Sequence, residues 1–380
     1  MTYTVKLGET ITDVLLNTTG TINNISAILE ANELTTWTPE LTPGQILIIP
    51  DGLEIQDNVL QQMKTYPSTN SFIGNIKTKI ITDFNILSAL QNTLTSKNIT
   101  PFSATLYAVN FISKTEGWVC GQDGNIYHTI NGGDTWEKQT SGSTDLLFSI
   151  FFTDPLNGWV SGENSVILHT SDKGVTWTPQ TTGVPGGEGI LCIYFISSTV
   201  GWCCTEDGSI IHTIDGGATW AVQVTGSANV YRSIFFTDSL NGWVCGDSGL
   251  IAVTGDGGAT WTDQTSGTTE ILRSIYFIST DVGYVCGDYG IILKTIDSGS
   301  TWVELSTTID SLYKLNSIYF ISTENGFVCG ENGEVFITSN AGLDWVQKNT
   351  ETSEVLWSIY PVDNKTMYSV GETGIVLKFA

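Results

Sequence analysis

The chain has 380 residues, with 39 acidic against 15 basic side chains and a formal net charge of −24. Such an acidic chain repels phosphate groups, which excludes direct nucleic-acid binding and disfavours anionic membrane surfaces. No apolar run reaches the roughly 18 residues of a membrane span, the N-terminus lacks a secretory pattern, and the seven cysteines form no Cys-x-x-Cys pair, so we expect cytoplasmic synthesis and no membrane insertion.

Residues 3–50 predict a small α+β module in the order strand, helix, helix, strand. "YTV" begins the first strand, and Thr10 then caps a helix with Asp13 three residues later. "NISAILEANEL" predicts a second helix, and "LTPGQILIIP" predicts a turn followed by the closing strand.

This module resembles a LysM domain. The matching elements are Tyr3-Thr4-Val5, Gly8-Glu9-Thr10-Ile11, Asn32 and Leu41-x-x-Gly44-x-x-Leu47-x-Ile49-Pro50. The resemblance implies binding of N-acetylglucosamine-containing glycans such as peptidoglycan, in a groove bordered by Gly8, Glu9, Thr10, Asn32 and Glu33. The alternative is a module that docks to protein and binds no sugar.

Residues 51–92 connect this module to the rest of the chain. Their segment "SFIGNIKTKIITDFNILSAL" is apolar enough to pack. We therefore expect a packed connector and not a flexible Gly/Ser linker.

An internal repeat occupies residues 93–380. The octet "TIDGGATW" and its variants end at tryptophans 41 to 43 residues apart, and the six copies begin at Thr129, Thr170, Thr213, Thr254, Thr295 and Thr338. Each copy follows a "GWVCG"-like run, and a seventh such run, "MYSVG", has no octet after it.

Repeats of 40 to 45 residues with four short strands are typical of propeller blades. Seven units therefore predict a mainly β fold, a seven-bladed β-propeller preceded by the small α+β domain. The last unit stops at its third strand, "GIVLKFA", so we expect residues 93–100 to supply its fourth strand. The two ends of the domain would then share one blade and close the ring.

The octets resemble the Asp box, Ser/Thr-x-Asp-x-Gly-x-Thr-Trp, of sialidase-like propellers. The whole unit resembles the repeat of photosystem II stability/assembly factors. The resemblance implies the fold and leaves the function open, because such propellers serve as enzymes, receptors and scaffolds.

The repetition of the octet indicates a structural role. A catalytic group is needed once, whereas a turn is needed in every blade, and an acid can accept hydrogen bonds from backbone N–H groups of its own turn. Two copies carry Asn where the others carry Asp, which suits a turn and not an acid catalyst. The octet positions are Asn131, Asp172, Asp215, Asp256, Asp297 and Asn340.

We expect no catalytic residue, no cofactor and no metal site. A sialidase needs three arginines for its substrate carboxylate, and this chain has two. His128, His169 and His212 fall at one position of three different units, so equivalent places on separate blades would be too far apart to share a metal. The cysteines that recur at one repeat position predict packing residues.

The residue before the Ser-Ile pair of each first strand varies between units. In chain order these residues are Tyr107, Phe148, Leu191, Arg232, Arg273, Asn316 and Trp357. Around a ring, Trp357, Tyr107 and Phe148 would form an aromatic arc suited to sugar or protein, and Arg232 with Arg273 a basic arc suited to a carboxylate. The alternative is variable filler between blades.

The first functional hypothesis is a non-enzymatic component of a phage tail or baseplate, or of a phage-derived injection device. Several copies of such a protein would be present in each virion, with other tail proteins, peptidoglycan or a surface glycan as partners. The alternatives are an assembly factor similar to the photosystem II propellers, against which the missing signal counts, and a glycan-binding surface protein or glycosidase.

Overall fold

The computed structural model describes residues 2–4, 46–48, 96–99, 102–184, 187–223, 229–305, 309–363 and 365–379. The chain divides into two compact units, Met1–Thr93 and Leu94–Ala380. In the first unit, strand β1 (Thr2–Thr4) pairs antiparallel with β2 (Ile46–Ile48). The expected groove residues Gly8, Glu9, Thr10, Asn32 and Glu33, and the connector 51–92, lie outside the described residues.

The second unit contains seven four-stranded antiparallel sheets, which confirms the expected seven-bladed propeller. In each blade the innermost strand has six residues, and a shift in pairing register marks its start. These strands are β4 (Leu106–Phe111), β8 (Leu147–Phe152), β12 (Ile190–Phe195), β16 (Tyr231–Phe236), β20 (Leu272–Phe277), β24 (Leu315–Phe320) and β28 (Leu356–Pro361).

The second strand of each blade is buried along its whole length, because sheets pack on both of its faces. These strands are β5 (Gly117–Gly121), β9 (Gly158–Gly162), β13 (Gly201–Thr205), β17 (Gly242–Gly246), β21 (Gly283–Gly287), β25 (Gly326–Gly330) and β29 (Met367–Gly371).

The third and outermost strands complete each blade. The third strands are β6 (Ile126–Thr129), β10 (Ile167–Thr170), β14 (Ile210–Thr213), β18 (Ile251–Thr254), β22 (Ile292–Thr295), β26 (Val335–Thr338) and β30 (Val376–Phe379). The outermost strands of the first six blades are β7 (Glu137–Gln139), β11 (Thr178–Pro179), β15 (Ala221–Gln223), β19 (Thr262–Gln264), β23 (Val303–Glu304) and β27 (Val346–Lys348).

The seventh blade joins the two ends of the propeller. Its outermost strand is β3 (Ser96–Asn98), which pairs antiparallel with β30 so that Ser96 lies opposite Phe379. The innermost strand β28 also contacts β4 of the first blade. The ring of blades is therefore closed by strands from the two ends of the domain.

Five blades have a short 3₁₀ turn between their second and third strands: Gln122–Gly124, Asp247–Gly249, Asp288–Gly290, Glu331–Gly333 and Glu372–Gly374. Glycine is required at the end of the turn. Gly249 has a φ of +71°, and a Cβ there would come within 2.0 Å of the Thr268 carbonyl oxygen. Among the residues that the structure describes, no helix is long and apolar enough to span a membrane.

A repeated aromatic contact holds neighbouring blades together. The fully buried Trp202 of the third blade stacks on Phe236 of the fourth, with ring centroids 3.6 Å apart and planes at 9°. The octet tryptophan Trp261 meets the same phenylalanine edge-on, at 6.0 Å and 89°. Burial of these large rings, with their stacking geometry, makes the junctions between blades the core of the domain.

Six of the seven junctions also carry a hydrogen bond from the second strand to the octet of the next blade. Trp202 Nε1 donates to the carbonyl oxygen of Gly257 at 3.1 Å. At the last junction the hydroxyl of Tyr368 donates to the Gly132 carbonyl at 2.9 Å. Phe327 occupies this position in the sixth blade and cannot donate. The seventh blade has no octet to accept a bond, which accounts for this substitution.

Candidate functional site

The octet folds into a turn that uses its own polar side chains. In the third blade, the backbone N–H of Thr219 donates to Asp215 Oδ1 at 2.8 Å, and the Thr219 hydroxyl donates to Oδ2 at 2.7 Å. The Thr213 hydroxyl donates to Oδ1 at 2.8 Å and accepts from the Gly217 N–H at 2.8 Å. Both carboxylate oxygens of Asp215 therefore accept hydrogen bonds from groups of the same octet.

The acids of three other octets make the same bonds: Asp172, Asp256 and Asp297. In all four octets, Asp215 included, these bonds favour the ionised form and so lower the pKa of the carboxyl below its usual value. In the two octets that carry asparagine, the amide oxygen still accepts the backbone N–H four residues later, but the amide NH₂ now donates to the side chain of that residue. Asn131 Oδ1 accepts from the Thr135 N–H at 2.9 Å, while its Nδ2 donates to the Thr135 hydroxyl at 2.9 Å. Asn340 makes the equivalent pair of bonds with Asp344.

The three histidines pack on aromatic rings. His128, His169 and His212 each stack on the second-strand tryptophan of their own blade, with centroids 4.4 to 4.8 Å apart. In the fifth blade Lys294 takes this place, with its Nζ 5.3 Å from the Tyr284 ring centroid. Within the described residues, no group of three or more His, Cys, Asp or Glu side chains is arranged to hold a metal ion.

The cysteines pack in the same junctions. The thiol of Cys120 faces the Leu147 carbonyl of the next blade, at 3.5 Å, and Cys286 faces Leu315 in the same way. Cys192 stands where other first strands carry serine. The hydroxyl of one such serine, Ser149, accepts the N–H of Ile193 at 3.3 Å across the junction. Cys192, for which the sequence offers no explanation, thus belongs to a ring of side chains that link adjacent first strands.

The variable residues before the Ser-Ile pair are all bulge residues. At the start of every first strand the pairing skips this one residue, as between Leu106 and Ala108 or between Leu356 and Ser358. A bulge leaves its extra residue unpaired and re-aims the side chain, and each of these side chains is half-buried at the start of an innermost strand. We call these seven residues the mouth ring: Tyr107, Phe148, Leu191, Arg232, Arg273, Asn316 and Trp357.

Three mouth-ring aromatics are in contact, and we call them the aromatic arc. The ring centroid of Tyr107 lies 5.6 Å from that of Phe148 and 5.9 Å from that of Trp357. All three side chains are half-buried, so each leaves part of its surface open at the channel mouth. The ring closure that joins the first and seventh blades is what brings Trp357 beside Tyr107.

The two arginines of the mouth ring are already paired. Arg232 Nε donates to Asp247, and its Nη2 lies 3.3 Å from the second carboxylate oxygen. Arg273 makes the same two-point contact with Asp288. Each aspartate follows its arginine by 15 residues in the same blade. The expected basic arc is therefore charge-compensated, which the sequence pattern did not indicate.

These aspartates belong to a ring of acids around the same mouth. The position after each second strand carries an acid in six blades, and its backbone N–H donates to the loop before the first strand of that blade, as Glu372 does to the Val355 carbonyl at 2.9 Å. We call this set the acidic ring: Glu163, Glu206, Asp247, Asp288, Glu331 and Glu372. The first blade carries Gln122 in its place.

The other end of the channel opens into a cavity of about 830 Å³. Its walls include Tyr276, Tyr319 and Tyr360, whose rings contact one another in tilted geometry, with centroids 4.3 Å apart for the first pair and 5.3 Å for the second. Tyr319 hydrogen-bonds to both neighbouring tyrosines, and burial raises the pKa of Tyr276 and Tyr360 well above the usual value. The period-2 alternation of the first strands could have indicated this belt, because each tyrosine lies two residues after a channel serine.

Two family models match the chain. The model of the photosynthesis system II assembly factor YCF48 matches three overlapping stretches, residues 90–235, 180–263 and 222–311, which together cover more than half of the chain. The chain belongs to the YCF48 assembly-factor family. The LysM domain model matches residues 3–50, the segment on which the sequence resemblance was based. A comparison with the curated proteins finds no match.

Solved structures show the same propeller in several settings. YCF48 bound to a D1 peptide has a TM-score of 0.64 at 21% identity, over 76% of this chain and 95% of that one. YCF48 from Cyanidioschyzon merolae has a TM-score of 0.62 at 19% identity, over 75% and 98%. A GH74 enzyme from Niastella koreensis has a TM-score of 0.61 at 16% identity, over 74% of this chain and 53% of that one. At these identities the likeness to each structure shows the fold alone.

Proposed function

We propose that this YCF48-family chain is a non-enzymatic docking protein whose propeller binds a segment of a partner protein at the mouth ring. The observation that carries the proposal is the row of bulges. Every blade aims one half-buried side chain at the channel mouth, and these side chains differ while the scaffold behind them repeats. Variable groups on a rigid, repeated frame are suited to recognition.

The relatives support a protein partner. One structure of a relative is YCF48 bound to a D1 peptide, so a propeller of this family binds a peptide. In the present chain, the aromatic arc offers the rigid, partly exposed rings that are enriched where proteins bind one another. The LysM module would add a second attachment, to an N-acetylglucosamine-containing glycan such as peptidoglycan or to a partner protein.

The proposal includes no catalytic role. The octet acids, which are the most repeated polar groups, are committed to bonds within their own turns. A glycosidase would use a pair of carboxylates that face a shared substrate cleft. Incubation with sialoside, muramyl and β-glucan substrates tests this point, and turnover that a mouth-ring variant abolishes would contradict it.

For the setting, we propose the tail or baseplate of a phage or a phage-derived injection device, with several copies in each particle. The combination of a LysM module with a rigid disc is what motivates this setting. Mass spectrometry of purified particles, and the identity of the neighbouring genes, test it directly. Purification with a membrane-protein assembly intermediate would favour the assembly-factor alternative instead.

A displayed peptide library tests the docking proposal. The library is selected on the full-length protein, and each recovered peptide is then tested against the double variant Tyr107→Ala with Trp357→Ala. A double variant on the outer strands, Asp263→Asn with Glu304→Gln, is the matched control, because both residues are exposed and far along the blade from the channel. Peptides that bind the control and not the arc variant support the proposal. Equal binding to both variants would contradict it.

A further inference from the structure

Some carboxylates of the acidic ring form an ion pair with a basic side chain, and others do not. In the fourth, fifth and sixth blades the acids are paired: Asp247 with Arg232, Asp288 with Arg273, and Glu331 with Lys314 Nζ at 2.9 Å. In the part of the chain that the structure describes, neither Glu163 nor Glu372 has an ion-pair partner or a side-chain hydrogen bond. The negative charge at the mouth is therefore concentrated on one side.

This negative side coincides with the aromatic arc. Glu372 belongs to the seventh blade and Glu163 to the second, so the two carboxylates flank the first blade, which carries Tyr107 at the centre of the arc. The turn Glu372–Gly374 contacts β4, the strand that carries Tyr107. Burial raises the pKa of Tyr107, and the charges of Glu163 and Glu372 raise it further. Gln122 takes the acid position in the first blade itself, so that blade adds no charge to the acidic ring.

Aromatic faces and unpaired carboxylates attract the same kind of group. The face of an indole or phenol ring is electron-rich and binds ammonium or guanidinium groups, and a nearby carboxylate adds a direct charge attraction. An anion would meet two uncompensated negative charges here. The formal net charge of −24 also draws basic partners toward the surface before contact.

We propose that the aromatic arc, with Glu163 and Glu372, binds a lysine or arginine side chain of the partner protein. This inference rests on the proposed docking function and assigns the chemistry of the docked segment. It also reverses the expectation from sequence, in which the two arginines select an acidic partner. Because Arg232 and Arg273 are neutralised by their aspartates, their side of the mouth ring carries little net charge, and the rest of the docked segment would lie against that side.

Peptides of defined charge test the assignment. The probes are capped peptides of alternating glycine and lysine, of glycine and acetyl-lysine, and of glycine and glutamate, titrated into the full-length protein by calorimetry at two salt concentrations. The lysine peptide should bind, and the acetylated and glutamate peptides should bind at least about fivefold more weakly.

Variants locate the binding. Glu163→Gln with Glu372→Gln should weaken the lysine peptide by about fivefold, and Trp357→Leu, which leaves every charge in place, should do so to a similar extent. Trp357→Tyr should retain most of the affinity. Asp263→Asn with Glu304→Gln removes the same number of charges elsewhere and should change the affinity by less than about twofold. Melting curves confirm that each variant is folded.

The outcomes separate the two proposals. If the lysine peptide does not bind, or if the arc variants behave like the charge-matched control, the cation assignment is wrong. If library peptides require Tyr107 and Trp357 but contain no basic residue, the docking function stands and this assignment alone fails. Tighter binding of the glutamate peptide would return the role of ligand recognition to Arg232 and Arg273.

Discussion

Replacing Tyr368 by phenylalanine removes one hydrogen bond at the junction that closes the ring. The Tyr368 side chain is fully buried, and its hydroxyl donates to the Gly132 carbonyl at 2.9 Å. That carbonyl also accepts from Lys378 Nζ at 2.8 Å, so the substitution leaves no unpaired acceptor. The phenyl ring remains in place on Phe111, whose centroid lies 3.9 Å away.

The expected loss is therefore the net value of a single hydrogen bond, about 1 kcal/mol of the free energy of unfolding. For a domain of this size that corresponds to a decrease in melting temperature of about 2 °C. Urea unfolding, followed by tryptophan fluorescence, measures the change directly. Tyr284→Phe removes the equivalent bond, to Ala341 at 3.2 Å, at a junction inside the ring and should cost a similar amount.

The reverse substitution, of phenylalanine by tyrosine, can be made at the junction between the sixth and seventh blades, where no such hydrogen bond exists. Phe327 is 2% exposed and faces a blade without an octet, so Phe327→Tyr would bury a hydroxyl with no octet carbonyl to accept its proton. We expect this substitution to destabilise the protein by about 1 to 3 kcal/mol. A stabilising Phe327→Tyr, or a Tyr368→Phe without effect, would refute the account of the junctions.

Three further predictions concern the octet acid, Cys192 and the buried histidines. Asp215→Asn should be tolerated, because Asn131 already serves in an octet, whereas Asp215→Ala should lower the melting temperature by losing both bonds to Thr219. Cys192→Ser should alter the free energy of unfolding by less than about 0.5 kcal/mol, since serine occupies the same place in other blades. Burial lowers the pKa of His169 and His212, so these side chains take up protons less readily in the folded protein than in the unfolded chain, which takes them up as the pH falls below about 6.5. Stability should therefore fall between pH 7 and pH 5.5, and replacing both histidines with phenylalanine should flatten this slope in urea titrations.

The sequence predicted those features that every blade repeats. Blade number, strand order and the structural role of the octet follow from residues such as Asp215, whose partners lie within four positions in the chain. The mouth position was found because it breaks the repeat. Its physical basis, a bulge at residues such as Tyr107, was not evident, because bulges depend on the pairing of two strands and not on one.

Side-chain contacts between different strands and blades were the part that sequence reasoning missed. Arg232 and Asp247 lie 15 residues apart on separate elements, so nothing local showed that the arginine is neutralised. Phe327 stands where the other six units carry tryptophan or tyrosine, and only the lack of an octet on the next blade explains it. The LysM module was recognised from its own short motifs, and its proposed groove residues lie outside the described part of the chain.

The most direct test of the account is a fluorine NMR titration of the full-length protein labelled with 5-fluorotryptophan. The Trp357 signal is identified by its loss in Trp357→Phe, and the protein is titrated with the glycine–lysine peptide. We expect a saturable shift of the Trp357 signal, while the signals of the octet tryptophans, such as Trp220, remain unchanged. A Trp357 signal that does not move, or that responds equally to the glycine–glutamate peptide, would contradict it.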